Sequence, residues 1–374
     1  MAYSLDKITI EGFKSIRSLE NFELKPLNVL IGGNGAGKSN FIDFFRLLRA
    51  MMQLPLPNLE STNLHTFIQS SGGSDDFLFN GPKITKQIEA ELFFGQNGYR
   101  FILAPTAVET FFIAREETYY KHSGQPWKLI GQGIQVPQLL NEKSKPGVSG
   151  GQSVAWHIYD SIDAWTIYHF HDTSIFAPMR RSETIHDHNY LRFDAANIAP
   201  YLFYLLNTNN NTYRQIVETI RLAAPFFGDF ILQPDMNEKV RLLWKQKGSD
   251  YPLKPHHLSD GTLRFICLVT ALLQPNLPYT IIIDEPELGL HPYAISILAE
   301  LIKATSRRIQ LVICTQSPTL VDNFEPEDIV VVNRENGAST FRRLDQKDLS
   351  AWLEDYSLGE LWQKNIISGE PVHE

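Results

Sequence analysis

Residues 32–39 read Gly-Gly-Asn-Gly-Ala-Gly-Lys-Ser, four glycines in six positions ahead of a lysine and a serine. Gly32, Gly33, Gly35 and Gly37 let the backbone enter φ > 0 and approach a ligand closely. Successive N–H groups from Gly32 to Gly37, with Asn34 and Ala36 among them, can then turn inward around an anion. Lys38 adds a point charge on the β- and γ-phosphates, and the Ser39 hydroxyl can ligate Mg2+. Asn40 ends the expected contact set. Such a loop works between a strand and a helix, because the helix N-terminus must face the anion. Residues 27–31 (LNVLI) read as a short buried strand. Residues 38–52 read as a helix with Phe41, Ile42, Phe45, Leu48 and Met52 on its apolar face.

Around this core the pattern changes along the chain. Residues 7–11 and 21–24 read as short strands, with GFKSIRSL connecting them, and PLP at 55–57 stops the helix. Residues 58–82, with SSGGSD, read as a loop. From 84 to about 121 the period becomes two, which predicts an antiparallel meander. Residues 126–154 are rich in Gly, Pro, Ser and Lys and read as an exposed loop. A strand is expected over 164–170, helices over 195–206 and 209–224, and a hairpin over 228–245. The last third alternates sharply: helix 260–273, strand 279–284, helix 292–304, strand 309–314 and strand 328–332. Alternation of this kind implies a parallel sheet with helices on its faces.

Two further stretches carry chemistry. IIIDEPELGLHP at 281–292 ends an apolar strand in Asp284-Glu285. In P-loop enzymes, whose phosphate loop residues 32–39 resemble, an acid at such a tip holds the Mg2+ shell, and the next residue, here Glu285, can orient and polarise an attacking water. LSDGTLR at 258–264 sets Ser259, Asp260 and Gly261 just before an amphipathic helix. A serine and free N–H groups at a helix start form an anion site. Residues 148–152 (VSGGQ) imitate that loop, but no amphipathic helix follows them and they lie far upstream of Asp284.

Composition narrows the class. A chain of 374 residues, 43% hydrophobic and 20% charged, is an ordinary globular sequence with length for a large core. Net charge is −8, which does not favour strong sequence-independent DNA binding, although a local basic groove remains open. Cys267 and Cys314 sit in apolar runs and are expected as buried free thiols. No export signal and no membrane span are expected, so the chain reads as soluble and cytoplasmic. The histidines at 169, 171, 186 and 188 lack the spacing of a metal site and read as surface or packing residues. The arginine pairs at 180–181, 307–308 and 342–343 read as solvated or ion-paired patches.

Taken together, GFKSI, GGNGAGKSN, LSDGTLR, DEPELGLHP and the tail DYSLGELWQKN resemble the single-chain bacterial ATPases related to SMC, RecF and OLD proteins. The resemblance covers the whole chain. It implies an α/β P-loop NTPase of ABC-ATPase type: a mixed sheet with an antiparallel β subdomain and a helical insert. The head would be composite, with residues 1–57 carrying the phosphate loop, 58–255 the meander and helical insert, and 256–374 the remaining motifs and tail. It also implies ATP and Mg2+ as ligands, with Lys38, Glu285 and Gln316 in the chemistry and Ser39 and Asp284 on the metal. Ser259–Gly261 would bind the γ-phosphate of ATP held by a second subunit, and Leu288–His291 would form the turn that crosses a homodimer interface.

The sequence departs from these relatives in places. Gln316, in CTQSP, stands where histidine is usual; glutamine can hydrogen-bond a γ-phosphate but cannot share a proton. The glutamine-loop position is expected near His171-Asp172. The insert lacks coiled-coil arms, and no nuclease cluster follows residue 333. Three outputs stay open: an ATPase acting on DNA or with a companion nuclease or effector in repair or phage defence; a nucleotide-gated interaction protein; and a transporter subunit, which LSDGT and the β-rich insert disfavour.

Overall fold

The computed structural model describes residues 4–53, 63–124, 126–147 and 151–367. In chain order the strands are β1 (Lys7–Phe13), β2 (Ile16–Glu23), β3 (Leu27–Ile31), β4 (Ile88–Phe94), β5 (Asn97–Pro105), β6 (Phe111–Tyr120), β7 (Lys128–Gly131), β8 (Trp165–Tyr168), β9 (Glu183–Thr184), β10 (Phe227–Ile231), β11 (Lys239–Val240), β12 (Leu243–Gln246), β13 (Thr280–Asp284), β14 (Gln310–Thr315), β15 (Ile329–Glu335) and β16 (Ala338–Arg343). The helices are α1 (Lys38–Met52), α2 (Asn63–Ser70), α3 (Leu139–Glu142), α4 (Val154–Asp163), α5 (Ile198–Thr208), α6 (Asn210–Ala223), α7 (Asp260–Leu273), α8 (Pro292–Ser306), α9 (Pro318–Val321), α10 (Gln346–Leu349) and α11 (Leu358–Gln363). They gather into two units: Thr166–Pro326 with Leu349–Lys364 form one, and the rest of the described chain forms the other.

The unit that holds the phosphate loop contains an antiparallel sheet in the order β2-β1-β4-β5-β6-β7. Its strands alternate as their sequence does. Ile88, Ala90, Leu92 and Phe94 of β4 are buried, while Glu89 and Glu91 face outward. A second group sets β15 parallel to β3 and antiparallel to β16. β3 is buried at all five positions, which explains its unbroken apolar run. The expected apolar face of α1 is buried, and Phe44 and Leu47 widen it; Phe44 meets Phe13 edge to face at 5.3 Å.

Several loop readings in this unit are corrected. GFKSIRSL is not a connection, because β2 begins at Ile16, folded back on Phe13 through a turn with Lys14 at φ 48°. Residues 63–70 form α2 where a loop is expected. Residues 126–154 are not simply loop either: β7 adds to the edge of β6, α3 follows, and Ser153 caps α4 by accepting from Trp156 N–H. A helix with Ala155, Ile158 and Ile162 on a buried face therefore does follow VSGGQ, against expectation, and only its distance upstream of Asp284 still sets it apart from LSDGT. The stop at 55–57 and residues 148–150 of VSGGQ lie outside the described residues.

In the other unit β13 and β14 run parallel, in register from Thr280↔Gln310 to Asp284↔Cys314, and β8 flanks β13 on its other side. Ile281–Ile283 and Leu311–Cys314 are buried. Helix α7 is buried almost all round, Leu263, Phe265, Ile266 and Leu268 among its core residues. The hairpin expected over 228–245 divides: β10 pairs with β12, whereas β11 pairs with β9. Cys267 and Cys314 are buried and not joined in a disulfide. Among the described residues no helix is long and apolar enough to cross a membrane.

Candidate active site

The glycine loop leaves β3 at Ile31 and enters α1 at Lys38. Its glycines answer two physical demands. Gly37 caps α1 at φ 116°, and a β-carbon there would lie 2.0 Å from Ser339 Oγ. A β-carbon on Gly32 would lie 2.3 Å from the Val332 carbonyl oxygen of β15. No side chain caps α1 and no acid stands in its first turn, so the helix dipole meets no competing negative charge. This is the donor set a phosphate requires.

The loop is braced from behind by a relay of side chains. Asn40 Nδ2 donates to Ser15 Oγ at 2.7 Å, Ser15 Oγ lies 2.6 Å from Ser339 Oγ, and Ser339 Oγ donates to the Ala36 carbonyl at 2.6 Å. Arg334 adds a contact to the Gly35 carbonyl at 3.3 Å. Lys38 is buried, and its ammonium donates to the carbonyls of Gly32 and Gly33, 3.1 Å from the latter. Asn34 and Ser39 are exposed.

The remaining expected residues meet in the other unit. Glu285 follows the β13 tip with φ 43°, a left-handed conformation uncommon for a glutamate. Its N–H donates to the Cys314 carbonyl at 2.8 Å, which carries the ladder one residue past the strand. Gln316 Nε2 donates to Glu285 Oε1. Asp284 has its carbonyl on His171 Nε2 at 2.9 Å, so that nitrogen carries a proton. The expected glutamine-loop neighbourhood thus reaches the strand tip through His171.

Ser259 caps α7 by accepting from Thr262 N–H at 3.1 Å. Asp260 is exposed and ion-paired to Arg180 at 2.8 Å. Gly261 is buried against Gly289. Leu288, Gly289 and His291 of the following turn are exposed.

Two residues here, Arg264 and Glu287, were not singled out from the sequence, and a third, Arg180, was expected only in a solvated or ion-paired patch; it is ion-paired but buried. Arg180, 8% exposed, gives Nε to the Thr173 carbonyl at 3.0 Å besides holding Asp260. Arg264, 7% exposed, spends its guanidinium on carbonyls of three residues: Phe170 at 3.0 Å, His171 at 3.2 Å and Leu288. Burial draws its pKa below the usual arginine value. Glu287 is 8% exposed, and burial pushes its carboxyl above the usual range. The signal lay inside the quoted motifs, since Arg264 ends LSDGTLR and Glu287 is the second glutamate of DEPE.

The tail motif also docks in this unit. Ser357 and Glu360 form a capping box on α11. Gly359 N–H donates to Asp322 Oδ1 at 2.6 Å, and a β-carbon on Gly359 would lie 2.6 Å from the Pro318 carbonyl oxygen. The histidines have other partners: His188 stacks on Tyr204, His186 pairs with Glu238, and His169 lies over His171. Among the described residues no group of three or more His, Cys, Asp or Glu is arranged as a metal centre.

Comparison with known proteins agrees with this architecture. No curated protein matches the chain. Among solved structures it is similar to an Smc head bound to the C-terminal winged-helix domain of ScpA, at 16% identity and TM-score 0.55, covering 93% of this chain and 99% of that one. It is similar to the same degree, at 14% identity and TM-score 0.55, to an Smc head with an extended coiled coil bound to the C-terminal domain of ScpA from Pyrococcus furiosus. That alignment covers 94% of this chain and 99% of the other. These likenesses show that the chain has the fold of an Smc head. The family described as "AAA domain, putative AbiEii toxin, Type IV TA system" matches residues 27–322, well over half of the chain. With its P-loop α/β fold, the chain belongs to this AAA-domain family.

Proposed function

We propose that the chain is a cytoplasmic, Mg2+-dependent ATPase in which two copies close on two ATP molecules, and that the three sequence segments act as one composite head. The loop amides from Gly32 to Gly37, with Lys38 and Asn40, hold the phosphates. Ser39 and Asp284 are the residues that would hold Mg2+, which when bound neutralises charge on the phosphates. Glu285 takes a hydrogen bond from the attacking water and polarises it, and Gln316 senses the γ-phosphate. Ser259, Asp260 and Gly261 of the second copy close the site. The setting we propose is DNA repair or phage defence, with a companion nuclease or effector as the partner that turnover drives.

The observation that carries this reading is the cradle itself. An uncapped, acid-free helix start stands behind a loop whose Gly37 has no room for a side chain and whose Ala36 carbonyl is tied back by Ser339. An anion matches such a donor set. The test is ATP affinity, phosphate release and light scattering of the purified chain, with Lys38→Ala alongside. Binding and release that survive Lys38→Ala would overturn the reading.

One observation favours a second reading, a nucleotide-gated interaction protein whose ATP-bound dimer is the signal. Gln316 Nε2 already occupies Glu285 Oε1, which reduces that oxygen's capacity as a base. Gln316→His separates the two readings. Faster release at unchanged ATP affinity would mean that glutamine keeps the parent slow by design. An unchanged rate would remove this reading's support.

A further inference from the structure

We propose that Glu287 is the positioning residue that aligns Gln316 on Glu285, so that the second glutamate of DEPE sets the geometry of the first. The inference rests on the ATPase reading above and extends it to a residue outside the expected site.

Gln316 is held at two points. Its side-chain amide donates to Glu285 Oε1, and its backbone N–H donates to Glu287 Oε1 at 3.0 Å. The same Glu287 oxygen accepts the Thr315 hydroxyl at 2.6 Å. Thr315 Oγ1 in turn accepts the Ser317 N–H at 3.0 Å. Thr315, Gln316 and Ser317, the turn that leaves β14, are therefore all tied to one carboxyl. The arrangement is costly for the fold. Thr315 is fully buried and Glu287 nearly so, and Glu287 Oε2 is buried with no hydrogen-bond partner among the described residues. An unsatisfied buried oxygen destabilises the fold that holds it, and a buried acid is rarely kept for packing alone. Here it stands where the turn must deliver an amide to a glutamate held in a left-handed conformation. Strain and unsatisfied groups of this kind cluster at functional sites.

The experiment compares kcat and ATP Kd for the parent, Glu287→Ala, Glu287→Gln and Thr315→Val, with Lys38→Ala as the control for the ATPase reading. Glu287→Ala should lower kcat by at least about tenfold with Kd within about twofold, a loss of orientation rather than of binding. Glu287→Gln keeps an oxygen that can accept both hydrogen bonds and should restore most of the rate. A purely structural role would not show this next step: in a Gln316→Ala background, adding Glu287→Ala should cost little more, because Glu287 acts through Gln316. Parental kcat in Glu287→Ala, or a full additional loss in the Gln316→Ala background, would overturn the proposal. If Glu287→Ala does not fold, Thr315→Val decides: a severalfold drop in kcat at parental Kd supports it, and an unchanged kcat overturns it. Phosphate release that persists in Lys38→Ala would instead sink the ATPase reading.

Discussion

A β-carbon placed on Gly261 would lie 2.0 Å from the carbonyl oxygen of Gly289. The first turn of α7 and the turn after the β13 tip therefore touch directly. Gly289 itself has φ 73°, and the neighbouring Leu288 carbonyl is held by Arg264 of α7. The Ser259–Gly261 loop and the Leu288–His291 turn are thus one backbone unit, joined at a glycine pair and tied by a buried guanidinium.

From this contact we expect Gly261→Ala to separate assembly from nucleotide binding. The added methyl cannot be absorbed by a rotamer change, because the obstacle is a carbonyl. One of the two segments must shift by about an ångström, a misplacement of the size that costs on the order of a hundredfold in rate. The Lys38 loop is untouched, so ATP affinity should stay within about twofold. Light scattering with ATP, beside a nucleotide titration, checks this. A mutant that dimerises and turns over like the parent would mean the contact is free to open.

Glu285→Gln should hold the ATP-bound state. Gln316 Nε2 can still donate to the new side-chain oxygen, so the geometry of the turn persists. The substitution removes the basic oxygen, and a general base typically contributes about a hundredfold or more to rate. Phosphate contacts are unaffected. The expected outcome is a stable dimer in Mg-ATP with little phosphate release. Release at the parental rate would remove Glu285 from its role.

Much of this arrangement was legible because its determinants are local. β3 and α1 have the expected bounds, and so does α7, although it is buried almost all round rather than amphipathic, since a fully buried strand, a glycine loop and a capped apolar helix each announce themselves within a few residues. What failed was pairing that local composition cannot encode. β2 exists because Phe13 meets Ile16 across a turn with no glycine at its tip. β7 (Lys-Leu-Ile-Gly) is only four residues long and buries none of them, yet it adds to β6 as an edge strand. Asn336-Gly337, at φ 50° and 75°, is the hairpin turn that makes β16, a signal present in the sequence and not read. That hairpin brings Ser339 to Ala36, 303 positions away along the chain. Glu287 and Arg264 were hidden for another reason. Their partners are mostly backbone groups, and no residue pattern marks a carbonyl or an N–H as needed.

The antiparallel sheet offers a test of pH dependence. Glu117 of β6 has a side chain only 2% exposed, between Arg100 at 2.6 Å and Arg115 at 2.8 Å. Hydrogen bonding to Arg115, then to Arg100, lowers its pKa from 4.5 to about 2. A depressed folded pKa means that the stabilisation is complete above the unfolded value and fades as pH falls toward about 2. Such a shift corresponds to about 3 kcal/mol, and solvent screening at the half-exposed Arg115 reduces the expectation to about 2 kcal/mol. Glu117→Gln should therefore be less stable than the parent in urea unfolding near neutral pH. The gap should narrow steadily below pH 4.5. A gap independent of pH would assign the loss to packing.

Lys38 and Ser259 should act on one ATP from opposite copies of the chain. Lys38→Ala removes the charge on the phosphates, and Ser259→Arg blocks the loop that closes over the γ-phosphate. Ser259 is exposed, and α7 loses only a capping bond worth about 1 kcal/mol, so the second variant should fold. Each homodimer should be inactive, because both of its sites carry a lesion. In a two-fold dimer every copy offers both surfaces. A mixed dimer therefore places both lesions in one site and leaves the other whole. Random mixing gives about half mixed dimers, each with one intact site of two, so about a quarter of parental phosphate release should return. The assay is steady-state release after mixing, with each variant alone as control and a tag pull-down to show that subunits exchange. If subunits exchange and no activity returns, either the site is not shared or both ATP sites must fire together. ATP-induced dimerisation of the parent distinguishes these outcomes: a parent that stays monomeric in Mg-ATP ends the shared-site reading, whereas a parent that dimerises points to coupled firing.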